Sequence, residues 1–140
     1  MSRFVIDAST GAKWFLSEVH SGAARRLLSA KHDLLVPDLF FPEIASILWK
    51  RVRRGEISEP DAGAILQTVG EMPLQLHSAW PLVALALPLA CRTDRTVYDC
   101  LYLALALREE APMVTADEKF YNALKDGPLA PSLLWVGDVP

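Results

Sequence analysis

The fold is decided by one stretch of sequence, Thr96-Val97-Tyr98-Asp99 followed by Cys100-Leu101-Tyr102-Leu103-Ala104-Leu105-Ala106-Leu107. The residues after Asp99 carry no charge over two helical turns, so the helix that they predict is apolar on every face. Such a helix is stable only where other elements cover it on all sides. We therefore expect it in the core, with the carboxylate of Asp99 at the edge of that core.

Short apolar segments alternate with helical segments on both sides of this stretch. The predicted strands are Phe4 to Ile6, Leu34 to Val36, Leu74 to His77, Pro112 to Thr115 and Leu133 to Val136. The predicted helices cover about 21–30, 38–54, 58–72, 79–91, 96–110 and 118–124, and Ser9 or Thr10 is expected to cap a further helix after the first strand. This alternation predicts an α/β/α sandwich with a mainly parallel sheet flanked by helices.

Several side chains are assigned to the core from helical spacing alone. Leu28 is expected to face inward from the first long helix, and Leu66 from the helix that Ser58 caps. Ala79 to Cys91 is apolar but contains two prolines and is too short to span a bilayer, so we expect a buried helix and no membrane segment.

Composition narrows the class of protein. The chain has 140 residues, of which 51% are hydrophobic and 22% charged, which fits a single domain over 1–140 with a real core. The net charge of −3 gives no overall nucleic-acid signature, so any polyanion must be drawn by a local basic patch or by a metal. No export signal is evident, and two cysteines cannot build a disulfide framework, which favours a reduced, cytoplasmic setting.

Four acidic residues stand where an apolar segment meets another element. Asp7 and Asp117 each follow a predicted strand, whereas Glu43 and Asp99 open predicted helices. Each has a local alternative, because Asp7, Asp99 and Asp117 could serve in helix capping and Glu43 could complement a helix dipole. A Thr-x-x-Glu capping box would likewise account for Glu118.

The four acids together indicate a metal site. Buried carboxylates are costly to desolvate unless a positive charge meets them, and the sequence offers few cations beside them. A donor set of oxygen atoms without His or Cys selects Mg²⁺ or Mn²⁺ over zinc. Such an ion supports phosphodiester hydrolysis.

These residues stand in fragments that resemble PIN domains, and specifically the VapC-type ribonuclease toxins of bacterial type II toxin–antitoxin pairs. The fragments occur in the family's order and span almost the whole chain. They are Val5-Ile6-Asp7-Ala8-Ser9, Val36-Pro37, Pro42-Glu43-Ile44-Ala45, the stretch from Thr96 to Ala106, and Val114-Thr115-Ala116-Asp117-Glu118-Lys119-Phe120.

The resemblance implies a PIN-domain-like fold and a Mg²⁺- or Mn²⁺-dependent endoribonuclease. Its catalytic metal ligands would be Asp7, Glu43, Asp99 and Asp117, some of them through water. It also implies an RNA substrate, a homodimer and a cognate antitoxin that inserts a segment near the acidic pocket. Ser9 and Thr115 would orient the acids, although ordinary helix capping is an equal alternative for both hydroxyls.

Other residues have two open interpretations each. Leu39-Phe40-Phe41 and Trp49 could form an apolar groove or dimer surface, or could simply pack in the core. The basic run from Lys50 to Arg54 could grip phosphates or complement the end of its helix. Arg92 and Arg95 lie nearer the expected acid cluster and could contact RNA or an acidic antitoxin residue.

The sequence bears on two rival functions. A phosphatase that uses Asp7 as nucleophile would need a second aspartate where this chain has Ser9, so that pattern is not met. The alternative kept is a non-catalytic PIN-like module that binds RNA or protein.

Overall fold

The computed structural model describes residues 2–140, in which five strands alternate with seven helices. The strands are β1 (Ser2–Ile6), β2 (His32–Pro37), β3 (Gln75–His77), β4 (Met113–Thr115) and β5 (Leu133–Trp135). The helices are α1 (Ala8–Ala12), α2 (Ser21–Arg26), α3 (Phe40–Arg53), α4 (Glu59–Glu71), α5 (Trp80–Thr93), α6 (Val97–Glu109) and α7 (Glu118–Leu124), with short 3-10 turns at Ala130–Ser132 and Val136–Asp138.

The strands form one sheet in the order β3-β2-β1-β4-β5, and every neighbouring pair is parallel. Val5, Leu35 and Val114 are completely buried, as expected where helices cover both faces of a parallel sheet. The predicted α/β/α sandwich with a mainly parallel sheet is therefore confirmed.

Helix α6 is buried on every face, as its sequence predicts. All residues from Cys100 to Ala106 are buried, and the helix contacts α5 as well as β1, β2 and β4. Thr96 caps the helix, since its Oγ1 accepts a hydrogen bond from the backbone N–H of Asp99 at 3.1 Å. Asp99 therefore sits in the first turn of a helix that the whole domain holds in place.

Helix α5 differs from its prediction because only one side of it is buried. Leu82, Ala86 and Leu89 face the core, whereas the side chains of Trp80 and Leu87 are 81% and 55% exposed. Trp80, Ala84, Leu87 and Cys91 follow one another at helical spacing on the exposed side, and we call this set the α5 stripe. An apolar sequence indicates that all faces of a helix can be buried. It does not indicate that other elements of the same chain bury them.

Two smaller predictions of burial are wrong for a similar reason. Helix α2 ends at Arg26 instead of Ala30, so Leu28 lies beyond the helix and is 43% exposed. On α4 only Val69 is fully buried, and Leu66 is 37% exposed because this peripheral helix packs mainly against α3. Within residues 2–140, no helix is long and apolar enough to cross a membrane.

Candidate active site

The site lies at the carboxyl edge of the sheet, between β1 and β4, where the strand order reverses. Asp7 directly follows β1, and one residue separates the end of β4 from Asp117. In parallel α/β sheets, ligands bind in the crevice outside the strands at such a switch point. Glu43 reaches the same place from the first turn of α3, and Asp99 from the first turn of α6. All four predicted acids thus line one pocket of about 360 Å³.

Asp7 is the most deeply buried of the four, with 7% of its surface exposed. Its Oδ1 accepts hydrogen bonds from the Thr10 backbone N–H at 2.9 Å and from Ser9 Oγ at 2.8 Å. Asp7 therefore caps α1 itself, and the expected cap at Ser9 or Thr10 is wrong, because the carboxylate already stands one residue before the first turn. Burial raises the pKa of Asp7, and the hydrogen bonds from Thr115, Thr10 and Ser9 oppose that rise.

Two hydroxyls tie Asp7 to the segment that carries Asp117. Thr115 Oγ1 donates to Asp7 Oδ2 at 2.5 Å and accepts from the Asp117 backbone N–H at 3.1 Å. Ser9 Oγ donates to Asp7 and accepts from the Ala116 backbone N–H at 3.3 Å. Neither hydroxyl caps a helix, so the geometry matches the orienting arrangement that the family resemblance implies.

Glu43 is half-buried, and its Oε1 accepts a hydrogen bond of 2.5 Å from Tyr102 Oη. Burial raises the pKa of Glu43, and the nearby charges of Asp99 and Asp7 raise it further against the opposing effect of Tyr102. Burial and the Glu43 carboxylate also raise the pKa of Tyr102, so the phenol stays a donor. The role of Tyr102 was not predicted from the sequence, although its position three residues after Asp99 on the same helix places both on one face.

Asp99 and Asp117 complete the acidic lining. Burial raises the pKa of Asp99, and the charge of Asp117 raises it further. Asp117 is exposed and caps α7, since its Oδ1 accepts from the Phe120 backbone N–H at 3.2 Å. The expected Thr-x-x-Glu box at Thr115 is therefore wrong, because α7 begins only after Asp117. The capping alternative and the pocket position both hold for Asp117.

Positive charge is scarce at the pocket. Within residues 2–140, none of the four acids has a Lys, Arg or His nitrogen within 4.0 Å. Lys50 is the member of the predicted basic run that lines the pocket, whereas Arg51 pairs with Glu18 and Glu56. The charge of Arg95 slightly opposes the rise in the pKa of Asp99.

The remaining candidates are divided among the core, the surface and the acidic pocket. Arg92 lines a separate pocket against the end of α7. Phe40 is completely buried, so core packing accounts for it, whereas Trp49 is 54% exposed beneath the guanidinium of Arg53. Leu39 lines the acidic pocket.

The donor set fits a hydrated Mg²⁺ or Mn²⁺ ion better than an ion held in a protein cage. Four carboxylates share the pocket, and none of the three histidines lines it. Among the described residues, however, no three acidic, His or Cys side chains converge closely enough to hold one ion directly. Mg²⁺ is usually held by only one or two carboxylates and keeps several waters, which suits this spacing. Zinc and calcium sites need more direct protein ligands.

The fold and the pocket define a class of protein, an α/β/α domain with a carboxylate-lined pocket at the switch point of a parallel sheet. The chain belongs to the PIN domain family, whose model matches residues 4–125. Ribonuclease VapC3 of Pyrobaculum aerophilum is 34% identical over 119 residues, which is 84% of this chain and 91% of that protein.

Solved structures show the same fold at lower sequence identity. A crystal structure of a Pyrobaculum aerophilum protein matches with a TM-score of 0.73 and 21% identity, covering 97% of this chain and 85% of that one. A chain of a toxin–antitoxin complex from Klebsiella pneumoniae matches with a TM-score of 0.58 and 11% identity, covering 93% and 94%. At these identities the likeness concerns the fold alone.

Proposed function

We propose that this chain is a Mg²⁺- or Mn²⁺-dependent endoribonuclease that hydrolyses phosphodiester bonds of RNA as the toxin of a toxin–antitoxin pair. The observation that carries the proposal is the meeting of Asp7, Glu43, Asp99 and Asp117 in one pocket. Among residues 2–140, none of these acids forms an ion pair with a Lys, Arg or His side chain. The relative named as a ribonuclease supports the choice of RNA over other phosphodiesters.

Each group in the pocket has a place in that reaction. The four acids would hold the ion, directly or through water, and the ion would supply a nucleophilic water at neutral pH and offset charge on the phosphate. Ser9 and Thr115 keep the Asp7 carboxylate turned toward the pocket by donating to both of its oxygens. Lys50 is exposed at the pocket and can attract an RNA phosphate that the acids would otherwise repel.

The proposal extends to partners and setting. The likeness to a chain of a toxin–antitoxin complex supports a cognate antitoxin as partner, and the exposed α5 stripe supports a homodimer. Cys91 and Cys100 are both free cysteines, which suits the reducing cytoplasm.

The test is cleavage of a fluorescently labelled single-stranded RNA by the purified protein with Mg²⁺, with Mn²⁺, or with EDTA. We expect cleavage only with a metal. Asp99→Asn should reduce the rate by at least about 100-fold, since losing even an outer partner of a metal ligand usually costs 10–100-fold.

The matched control is Asp94→Asn, the same chemical change five residues earlier. Asp94 is exposed and ends α5 in the left-handed region, which Asn tolerates well, so this variant should cleave like the wild type. Equal cleavage by wild type and Asp99→Asn would overturn the site. Metal-independent RNA binding without cleavage would instead support the non-catalytic module.

A further inference from the structure

We propose that Tyr102 is the positioning residue for Glu43, and that its hydroxyl holds the Glu43 carboxylate in the orientation that receives the metal. The proposal rests on the proposed function, because it assumes that Glu43 is one of the ligands. It concerns a residue that carries no charge and that the metal does not need to touch.

Tyr102 is fixed far more firmly than Glu43. The tyrosine is 1% exposed and lies in the middle of the buried segment of α6, so its ring has no room to adopt another rotamer. Glu43 is half-buried in the first turn of α3 and has three side-chain torsions. A bond between them therefore transfers the rigidity of α6 to a side chain that would otherwise sample several positions.

The hydrogen bond also leaves the glutamate ready to bind an ion. Tyr102 Oη donates to Oε1 of Glu43 at 2.5 Å, and no group in residues 2–140 donates a hydrogen bond to Oε2. One oxygen is thus held by the protein while the other is available to a metal. Hydrogen bonds that fix carboxylate ligands in this way usually raise metal affinity 10–100-fold.

Core packing alone does not account for the hydroxyl. A phenylalanine would fill the same space in α6 without placing a polar atom at the wall of an acidic pocket. The sole hydrogen bond of the Tyr102 hydroxyl among the described residues goes to Glu43, 59 positions away in sequence. The hydroxyl therefore serves the contact between α6 and α3 at the pocket.

The test is a double-mutant cycle of Tyr102→Phe and Glu43→Gln, read out as Mn²⁺ affinity by electron paramagnetic resonance without RNA. We expect Tyr102→Phe to weaken Mn²⁺ binding about 10–100-fold. In the Glu43→Gln background the same substitution should have no further effect, since Tyr102 acts through that carboxylate. Thermal unfolding of each variant verifies that it is folded.

Tyr121→Phe is the matched control, because Tyr121 is half-buried against Trp135 and lies outside the acidic pocket. It should leave Mn²⁺ affinity unchanged. The proposal is overturned if Tyr102→Phe binds Mn²⁺ within twofold of the wild type, or if its effect persists fully beside Glu43→Gln. A wild type that binds Mn²⁺ but cleaves no RNA contradicts the ribonuclease function alone, and the cycle still decides the role of Tyr102.

Discussion

Asp7, Glu43 and Asp99 carry negative charge into the folded chain, and within residues 2–140 none of them forms an ion pair. Burial raises the pKa of each of them, and neighbouring acids add to the effect at Glu43 and Asp99. Each carboxylate is therefore easier to protonate in the folded chain than in the unfolded one. Without metal, the charged forms of these groups oppose folding at neutral pH.

The effect of the Asp99 charge on folding should appear when the stability of Asp99→Asn is compared with that of the wild type at several pH values. The unfolded chain releases the Asp99 proton near the ordinary pKa of 3.8, whereas the folded chain keeps it to a higher pH. The wild type consequently loses stability as pH rises through the raised pKa, and an asparagine, which does not titrate, avoids that loss. In EDTA, we expect the variant to unfold at a higher temperature than the wild type at pH 7.5, with the difference vanishing toward pH 4.

Magnesium should reverse the order of the two proteins. Under the proposed function, saturating Mg²⁺ should bind the folded wild type and raise its unfolding temperature, while Asp99→Asn should gain little. Differential scanning calorimetry with and without the ion measures both effects, and Asp94→Asn serves again as the exposed control. A variant less stable than the wild type in EDTA at pH 7.5 would contradict the inference that the charge of Asp99 opposes folding.

For individual residues, the sequence predicts the acids of the pocket better than the side chains that hold them by hydrogen bonds. Each acid is recognisable because it adjoins an apolar segment and belongs to a fragment typical of PIN domains. The role of Tyr102 was not predicted, because a tyrosine in an apolar helix gives the same sequence pattern whether it packs in the core or orients a metal ligand. The capping role of Asp7 was one of the alternatives, but the sequence could not favour it, since Ser9 and Thr10 are equally good caps by residue type.

Helices α1 and α3 approach each other unusually closely at Gly11. A Cβ atom on Gly11 would lie 2.6 Å from Cζ and 2.8 Å from Cε1 of Phe40. The ring of Phe40 is completely buried and packs against Trp14 and Phe41, so it has little space to withdraw. Because α1 begins after Asp7 and Phe40 lies one turn from Glu43, this contact sets how near those two acids stand.

Gly11→Ala should therefore damage both stability and metal binding. Overpacking of a core typically costs about 1–3 kcal/mol, and the shift of α3 should weaken Mn²⁺ affinity as well. Chemical denaturation and Mn²⁺ titration measure the two effects. Retained stability together with retained affinity would show that Phe40 yields without moving Glu43.

Gly63→Ala is the matched control for this substitution. Gly63 lies within α4 and nothing surrounds the position of its Cβ within 4 Å. Alanine there should stabilise the helix by about 0.4–1 kcal/mol, because it restricts the unfolded chain and favours helix. The same chemical change is thus expected to act in opposite directions at the two sites.

Elements were predictable where local signals agreed with the tertiary environment. The strands around Val5, Leu35 and Val114 are apolar runs between turn residues, and α4 has both a serine cap and an early proline, so pattern and structure coincide. Helix α5 was harder, because an apolar helix without charges has the same sequence whether it lies in the core or at a surface that awaits a partner. Which of its faces meets α6 depends on packing between distant segments.

For the whole molecule, the α5 stripe is the feature that points beyond one chain. Leu87→Glu places a charge in the middle of the stripe and should convert a dimer into a monomer, since a buried unpaired carboxylate is strongly unfavourable at an interface. Multi-angle light scattering at micromolar concentration measures the mass. Leu87 is already 55% exposed within the chain, so the fold should persist.

Leu66→Glu is the control for the dimer, because Leu66 is also an exposed leucine on a helix but lies on α4, outside the stripe. It should leave the mass unchanged. A wild type that is monomeric, or a Leu87→Glu variant that remains dimeric, would exclude the stripe as the dimer interface.

The hydrogen bond between Thr115 and Asp7 joins residues 108 positions apart, and β4 must pair with β1 before it can form. A ribosome adds about 5–20 residues per second, so Asp7 is made roughly 5–20 seconds before Thr115 and Asp117. Until those residues emerge, Asp7 lacks its orienting hydroxyl and the pocket lacks one wall. Under the proposed function, the site is therefore incomplete during most of translation, and a cognate antitoxin would have that interval in which to bind.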